Sequence, residues 1–271
     1  MALSHENLIV YKRSLSFNAI IFGWIATWDR RHAICDQLER AAGSILENIA
    51  MASASYSGMK IKSIDYAIGS TLESAACLDL ALVKKLINHE QHHIEKVELL
   101  EVMKMLVGLR RSWITMPNTL KEARGAYGDS PEALFNHEKM DIYQVSLELA
   151  WRFANSKHVN DLPLAMFQRL DELLTSILLN LAEGNGRFSN SDQQRFLGLS
   201  HEAVLKLSAR LDLCSARGVL PAEVVTEWKV LLERVSTMNA ALLGVLRNEE
   251  GSTTYATKLA TKGARENVSL P

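Results

Sequence analysis

The residues best placed to bind a ligand are basic side chains in the segment that begins near Asn190. Arg195, Lys206, Arg210 and Arg217 are separated by 11, 4 and 7 positions. At about 100° per residue they would fall within about 60° of one another on an α-helix, and Arg187 lies just before this segment. Such a strip could bind nucleic-acid phosphates or an acidic partner. The alternative is a solvated helix face, because Glu202 shares the strip and can pair with Lys206.

Other residues do not form a recognisable catalytic or metal site. His89 and His93 have the i,i+4 spacing of a metal pair on a helix, but the sequence offers no third ligand beside them. Glu73 and Glu183 are single carboxylates without a partner acid or a histidine base at a readable spacing. Nucleophile-elbow and phosphate-loop motifs are absent from the sequence. We therefore expect no enzymatic activity, no cofactor and no metal ion.

A repeated stretch indicates how these residues are positioned. The pattern Ser-Ile-Leu-x-Asn-(Ile/Leu)-Ala begins at Ser44 and again at Ser176, an offset of 132 residues that also relates Tyr11 to Tyr143. In both copies the apolar residues recur every three or four positions, which is the period of an amphipathic α-helix. The common offset predicts an internal duplication.

The same helical period extends along the whole chain, with breaks at Pro and Gly. Four amphipathic helices with short connections, present twice, predict an all-α fold of two tandem antiparallel four-helix bundles. The expected boundaries are residues 1–112 for the first bundle, 113–136 for a linker, 137–248 for the second bundle and 249–271 for a flexible tail.

Composition limits the classes of function. The 271 residues carry a net charge of −1, and neither half of the chain is strongly basic, which argues against strong non-specific nucleic-acid binding. The three cysteines, Cys35, Cys77 and Cys214, lack metal-ligand spacing and are typical of reduced thiols in a cytoplasmic protein. No apolar run reaches membrane length and the first residues lack signal-peptide character, so we expect no membrane contact.

Two motifs resemble a known family. The run Asn180-Leu181-Ala182-Glu183-Gly184-Asn185-Gly186-Arg187, followed by Arg195-Phe196-Leu197, resembles the small four-helix bundle proteins encoded in intervening sequences of bacterial large-subunit ribosomal RNA genes. That family usually also carries Gly-Ser-x-x-Glu in its third helix, and the first repeat has this motif as Gly69-Ser70-Thr71-Leu72-Glu73. The resemblance covers nearly the whole chain outside the linker and tail.

Each repeat has lost one of the two motifs. The first has Ala50-Met51-Ala52-Ser53-Ala54-Ser55 in place of Ala-Glu-Gly-x-Gly-Arg, and the second has Glu202-Ala203-Val204-Leu205-Lys206 in place of Gly-Ser-x-x-Glu. If the motifs form a surface, each repeat can therefore supply only part of it.

The resemblance implies a non-enzymatic assembly protein that self-associates, often as a ring. A related branch comprises the accessory proteins of diversity-generating retroelements, which hold a reverse transcriptase and its RNA. We therefore expect an adaptor that docks a reverse transcriptase or other ribonucleoprotein and contacts RNA or DNA through Arg187, Arg195, Lys206, Arg210 and Arg217. The alternative is a purely structural helical-bundle oligomer with no nucleic-acid role, which the near-neutral charge favours.

Overall fold

The computed structural model describes residues 3–54, 57–114 and 134–266, and within these ranges the regular structure is entirely helical. The first half contains four long helices, α1 (Ile9–Ile25), α2 (Ile34–Ala54), α3 (Ser57–Val83) and α4 (His89–Trp113). The second half contains α5 (Asp141–Ala154), α6 (Leu164–Asn185), α7 (Asn190–Ala216) and α8 (Ala222–Glu266). The all-α fold expected from the sequence is thereby confirmed.

The repeated stretches form α2 and α6, and their apolar stripes are buried as the period predicts. Ile34, Leu38 and Ile45 of α2 are 0% exposed, and Leu170, Ile177 and Leu181 of α6 are at most 1% exposed. Each buried aliphatic side chain contributes roughly 1.5–3 kcal/mol relative to its exposed state. The two stripes therefore provide much of the driving force for packing each bundle.

Each half is an antiparallel four-helix bundle. In the first half α1 and α3 both pack against α2 and α4, and in the second half α5 and α7 both pack against α6 and α8. Short connections join successive helices, and side-chain caps define several helix starts. Asn88 accepts a hydrogen bond from the Gln91 N–H at the start of α4, and Ser189 accepts one from the Asp192 N–H at the start of α7.

Equivalent residues occupy equivalent places in the two bundles, as the duplication predicts. Asn48 donates to the backbone oxygen of Ser44 at 2.8 Å, and Asn180 donates to that of Ser176 at 2.7 Å. Both amides also donate to the hydroxyl of the same serine, at 3.0 Å and 3.1 Å. These asparagines thus satisfy a carbonyl and a hydroxyl of their own helix.

Two boundaries need comment. A flexible tail is expected from residue 249, whereas α8 continues to Glu266. The segment beyond residue 248 contains Gly251 and Gly263 but no proline before Pro271, so no residue there costs a helix more than about 1 kcal/mol until Pro271. Most of the expected linker, residues 115–133, lies outside the described residues.

The two bundles share one continuous hydrophobic core. Helix α3 of the first bundle packs along α6 of the second. Leu72 and Ala76 of α3 and Leu178 and Ala182 of α6 are all 0% exposed. The two helices run antiparallel, since Lys84 near the end of α3 meets Asp171 near the start of α6. The contact between the repeats is therefore a helix-to-helix interface with its own buried polar groups.

Candidate binding face and the interface between the repeats

Four of the five predicted site residues lie together on the solvent side of α7. Arg195, Lys206, Arg210 and Arg217 are exposed, whereas the adjacent side of the helix carries its buried residues, among them Phe196, Val204, Leu207 and Leu211. The rise of about 1.5 Å per residue spreads the four cations over about 33 Å. We call this surface the basic face.

The basic face contains one internal ion pair. Lys206 donates to the Glu202 carboxylate four positions earlier, as the sequence spacing predicts. This hydrogen bond lowers the pKa of Glu202. Among the described residues, Arg195, Arg210 and Arg217 form no ion pair. Three guanidinium groups therefore face solvent without a carboxylate partner, which suits a surface that binds anions.

Arg187, the fifth predicted residue, is placed differently. It is only 9% exposed, and its guanidinium pairs with Glu183 and lies 4.6 Å from the ring centroid of Phe196. It also donates to the backbone oxygen of Asp65 in α3, at 3.4 Å. Arg187 therefore does not lie with the other four residues on the exposed side of α7. The turn after α6 directs its side chain into the interface between the repeats.

Close approach of the two helices at this interface depends on glycine. A Cβ added to Gly69 would lie 2.7 Å from a guanidinium nitrogen of Arg187, and one added to Gly186 would lie 1.8 Å from Leu72 Cδ1. Both added atoms would overlap side chains that are themselves buried. The interface therefore joins the motif that the first repeat retains, Gly69 to Glu73, with the motif that the second retains, Ala182 to Arg187.

The same end of the interface holds two carboxylates around one arginine. Burial and, secondarily, the Glu183 carboxylate raise the pKa of Glu73 to about 7. Burial also raises the pKa of Glu183, although its hydrogen bond with Arg187 opposes the shift. The charges of Arg40 and Arg187 oppose this rise in the pKa of Glu73, and a pKa of about 7 makes the charge state of Glu73 sensitive to pH near neutrality.

The opposite end of the interface is fastened by a buried ion pair that the sequence analysis missed. Lys84 Nζ lies 2.5 Å from Asp171 Oδ1, and the two side chains are 4% and 1% exposed. The other oxygen of Asp171 accepts the Ala33 N–H at 2.9 Å. Burial would raise the pKa of Asp171, but Lys84 and these hydrogen bonds lower it below its ordinary value. The sequence held one signal of this pair. Asp171 lies four positions after Phe167, so it falls on the apolar stripe of α6, where a buried acid needs a partner.

A second polar cluster joins α3, α4 and the segment that enters the second bundle. Lys96 Nζ lies 2.9 Å from Asp79 Oδ1 and also contacts Glu138, while Tyr143 donates to the other Asp79 oxygen at 2.8 Å. Burial would lower the pKa of Lys96, but the two carboxylates raise it above its ordinary value. The cluster therefore links the repeats through a buried ammonium group.

The ligand atoms of Asp79, His137 and Glu138 lie within 4.8 Å of one another, which is compatible with metal coordination. Burial and the nearby Lys96 lower the pKa of His137 to about 3, so its ring is neutral. However, the Lys96 ammonium already pairs with both carboxylates. A metal ion would have to displace Lys96, so we assign this cluster a structural role.

The comparison with known families agrees with the duplication. The model of the 23S rRNA-intervening sequence protein matches residues 6–108 and again residues 138–241. The chain belongs to this family. It carries two tandem copies of the family's domain, offset by 132 residues at their start and by 133 at their end. No curated protein and no solved structure gives a significant match to the chain.

The change of offset from 132 to 133 assigns counterparts in the last two helices of each repeat. Asp212 and Lys229 lie 133 residues after Asp79 and Lys96, and they form the same ion pair, at 2.5 Å. Their side chains are 61% and 36% exposed, whereas the Lys96 side chain is 2% exposed. The same pairing thus occurs at the surface of one repeat and inside the other.

One helix in the described part of the chain is apolar and long enough to cross a membrane. This segment, Met59–Val83, makes up most of α3, and 78% of the apolar 18-residue stretch within it is buried inside the protein. Its apolar character is accounted for by its central position, because α3 packs against α2, α4 and α6 at once.

Proposed function

We propose that this protein is a non-enzymatic, cytoplasmic adaptor that docks a reverse transcriptase or another ribonucleoprotein and contacts nucleic acid through the basic face of α7. The observation that carries the proposal is the alignment of Arg195, Lys206, Arg210 and Arg217 on one exposed helix face. The reverse transcriptase as a partner comes from the resemblance alone, whereas the anionic character of the ligand follows from the face.

The packing of the two bundles also supports an adaptor. A shared core and two buried ion-paired clusters hold the bundles in one fixed relation. Docking on one part of this unit would therefore position the basic face relative to the partner. Because the backbone of the face is already fixed in a helix, little backbone entropy would be lost when phosphates bind.

A second candidate function is a structural bundle protein without a nucleic-acid role. The net charge of −1 favours it, since a protein that binds nucleic acid through phosphates commonly has a basic surplus. The two candidates differ in one measurable property, which is the salt dependence of binding to RNA or DNA.

The test is a fluorescence-anisotropy titration with single-stranded RNA and with duplex DNA at several salt concentrations. Four phosphate contacts give a slope of log K against log salt of about −2.8 for single strands and about −3.6 for duplex. Raising salt from about 50 to about 200 mM should then weaken binding by about 50- to 150-fold.

The critical variant replaces Arg195, Arg210 and Arg217 with Gln. Glutamine keeps helix propensity close to that of arginine and leaves the Glu202–Lys206 pair intact. The slope should fall by about three-quarters, because one of four contacts remains.

The matched control replaces three exposed lysines away from this face, Lys62, Lys139 and Lys157, with Gln. It has the same net charge as the critical variant and should bind like the wild type. If the two variants bind equally well, the basic face is a solvated surface. If the wild type binds no nucleic acid, the structural function is the better one.

A further inference from the structure

The contact between the two bundles is of a kind that could repeat without limit. It joins the third helix of one repeat, α3, to the second helix of the other, α6, so the two contributing surfaces differ. Such a heterologous contact generates rings or open filaments when every copy offers both surfaces. The counterparts of these surfaces lie on α7 and α2, and both face outward in this chain. We call them the α7 outer face and the α2 outer face.

The α7 outer face has lost the features that let α3 approach α6. The counterpart of Gly69 is Glu202 and the counterpart of Glu73 is Lys206, at the offset of 133. Glu202 and Lys206 form an exposed ion pair, with side chains that are 56% and 52% exposed. Where α3 is closely covered, α7 therefore presents a hydrated pair of charges.

The α2 outer face has changed in a corresponding way. Leu179 of α6 is 5% exposed at the interface, and its counterpart at the offset of 132 is Glu47, which is exposed. Gly186, where an added Cβ would lie 1.8 Å from Leu72 Cδ1, has Ala54 as its counterpart in the sequence. A second chain docking in the same way would need to bury Glu47 and to place a leucine against an alanine instead of a glycine.

Two attractive features survive on the outer faces. The first is Leu205, the counterpart of Leu72, which is 55% exposed; the second is a pair of opposite charges. The buried pair Lys84–Asp171 has the counterparts Arg217 and Glu39, which keep opposite charges. Both side chains are exposed, and exposed pairs of this kind contribute little free energy. Burying Glu47, Glu202 and Lys206 removes three charges from water at several kcal/mol each. That penalty exceeds the gain from one such pair together with the burial of one leucine, about 1.5–3 kcal/mol.

We infer, contrary to the self-association that the family resemblance implies, that the assembly of bundles stops within one chain, because the two outer faces act as caps that prevent a further copy from adding head to tail. Terminal repeats with polar outer faces end other repeat arrays in the same manner. The α3–α6 interface is therefore a bundle-to-bundle contact made once, inside the polypeptide. The basic face of α7 remains uncovered as a consequence.

Sedimentation equilibrium of the full chain tests this inference without any nucleic acid. The wild type should sediment with the mass of a single chain, 30.2 kDa, at concentrations up to about 100 µM, which would reveal a contact with a Kd of that order. A concentration-dependent mass that is lost when Glu39 or Arg217 is reversed in charge would overturn it.

Two further variants transplant the interface onto the outer faces. The first introduces the residue types of Leu179, Glu183, Gly186 and Arg187 at their counterparts in the sequence, through Glu47→Leu, Met51→Glu, Ala54→Gly and Ser55→Arg. The second gives α7 the interface residues of α3, through Glu202→Gly and Lys206→Glu. Each variant alone should remain a single chain, because its other outer face is still capped, whereas an equimolar mixture should form a dimer of twice the mass.

Circular dichroism and thermal unfolding of each variant, measured before mixing, establish that it is folded. If both are folded and the mixture stays at the mass of one chain, the named residues are not what caps the faces and the inference fails. Failure of this inference can be told apart from failure of the proposed function. Sedimentation reports whether chains associate, and the anisotropy titration reports whether the chain binds nucleic acid, so either result can fail without the other.

Discussion

Lys96 and Lys229 allow the energetic effect of burial to be measured within one molecule. The two lysines occupy counterpart positions, and each pairs with a counterpart aspartate, Asp79 or Asp212. Lys96 is buried and also contacts Glu138, whereas Lys229 and its partner are exposed. Replacing each lysine with methionine keeps most of the side-chain volume and removes the charge. The two variants therefore differ mainly in the surroundings of the carboxylates left behind.

The expected free-energy changes are well separated. Removing one partner of a buried pair leaves an uncompensated charge and costs about 3–5 kcal/mol, while removing one partner of a surface pair costs about 0–1 kcal/mol. For a chain of this size about 1 kcal/mol shifts the unfolding temperature by about 2–4 °C. Lys96→Met should therefore lower that temperature by about 6–20 °C, and Lys229→Met by less than about 4 °C.

The pH dependence gives an independent check of the cause. Burial would raise the pKa of Asp79, but the charge of Lys96 and the hydrogen bond from His92 lower it well below its ordinary value. A lowered carboxyl pKa stabilises the fold above the unfolded pKa of about 4 and loses that contribution as the pH falls. The deficit of Lys96→Met relative to the wild type should thus be greatest near neutral pH and shrink below about pH 4.

The assay is urea unfolding followed by circular dichroism at pH 7 and at pH 3, with all three proteins at the same ionic strength. Equal destabilisation by Lys96→Met and Lys229→Met would refute the argument. A Lys96→Met deficit that does not change between the two pH values would refute the assignment of its cause to the carboxylates.

Two further predictions concern the interface between the repeats. Gly186→Ala should destabilise the fold by about 1–3 kcal/mol, because the added Cβ overlaps Leu72. Gly108→Ala is the control: an added Cβ there meets nothing within 4 Å, so it should stabilise the fold by about 0.5–1 kcal/mol. Thermal unfolding distinguishes the two variants, and equal effects would contradict the packing argument. The raised pKa of Glu73, about 7, means that wild-type stability should fall as the pH rises from about 4 to about 7, since the folded state then loses a proton it holds more tightly than the unfolded state. Glu73→Gln should therefore gain on the order of 2 kcal/mol relative to the wild type at pH 8 and little at pH 4, and an unchanged pH profile would show that Glu73 is not the responsible group.

The sequence predicts the fold well because each helix carries its own local signal. The buried stripes of α2 and α6 follow the helical period, and the capping residues Asn88 and Ser189 precede α4 and α7. The basic face is likewise local, since the angles between its residues depend only on their spacing. Arg195 and Arg210 are both exposed on α7.

The position of Arg187 could not be deduced from spacing, because it depends on the contact between two repeats. Its burial requires α3 to lie against the end of α6, and nothing within either repeat specifies which helices will meet. The loss of complementary motifs was the one available clue. The retained halves, Gly69 to Glu73 and Ala182 to Arg187, pack together, and this explains why each repeat could lose the other half.

The two repeats therefore use the same helix surface for different purposes. In α3 this surface binds α6 through Gly69, Leu72 and Lys84, whereas in α7 its counterpart is exposed and carries Lys206 and Arg217. A chain with two bundles consequently offers only one free copy of the surface. If the outer faces are capped as inferred, each chain should bind its anionic partner once, and a titration that saturates at one site per chain would agree with both the cap and the basic face.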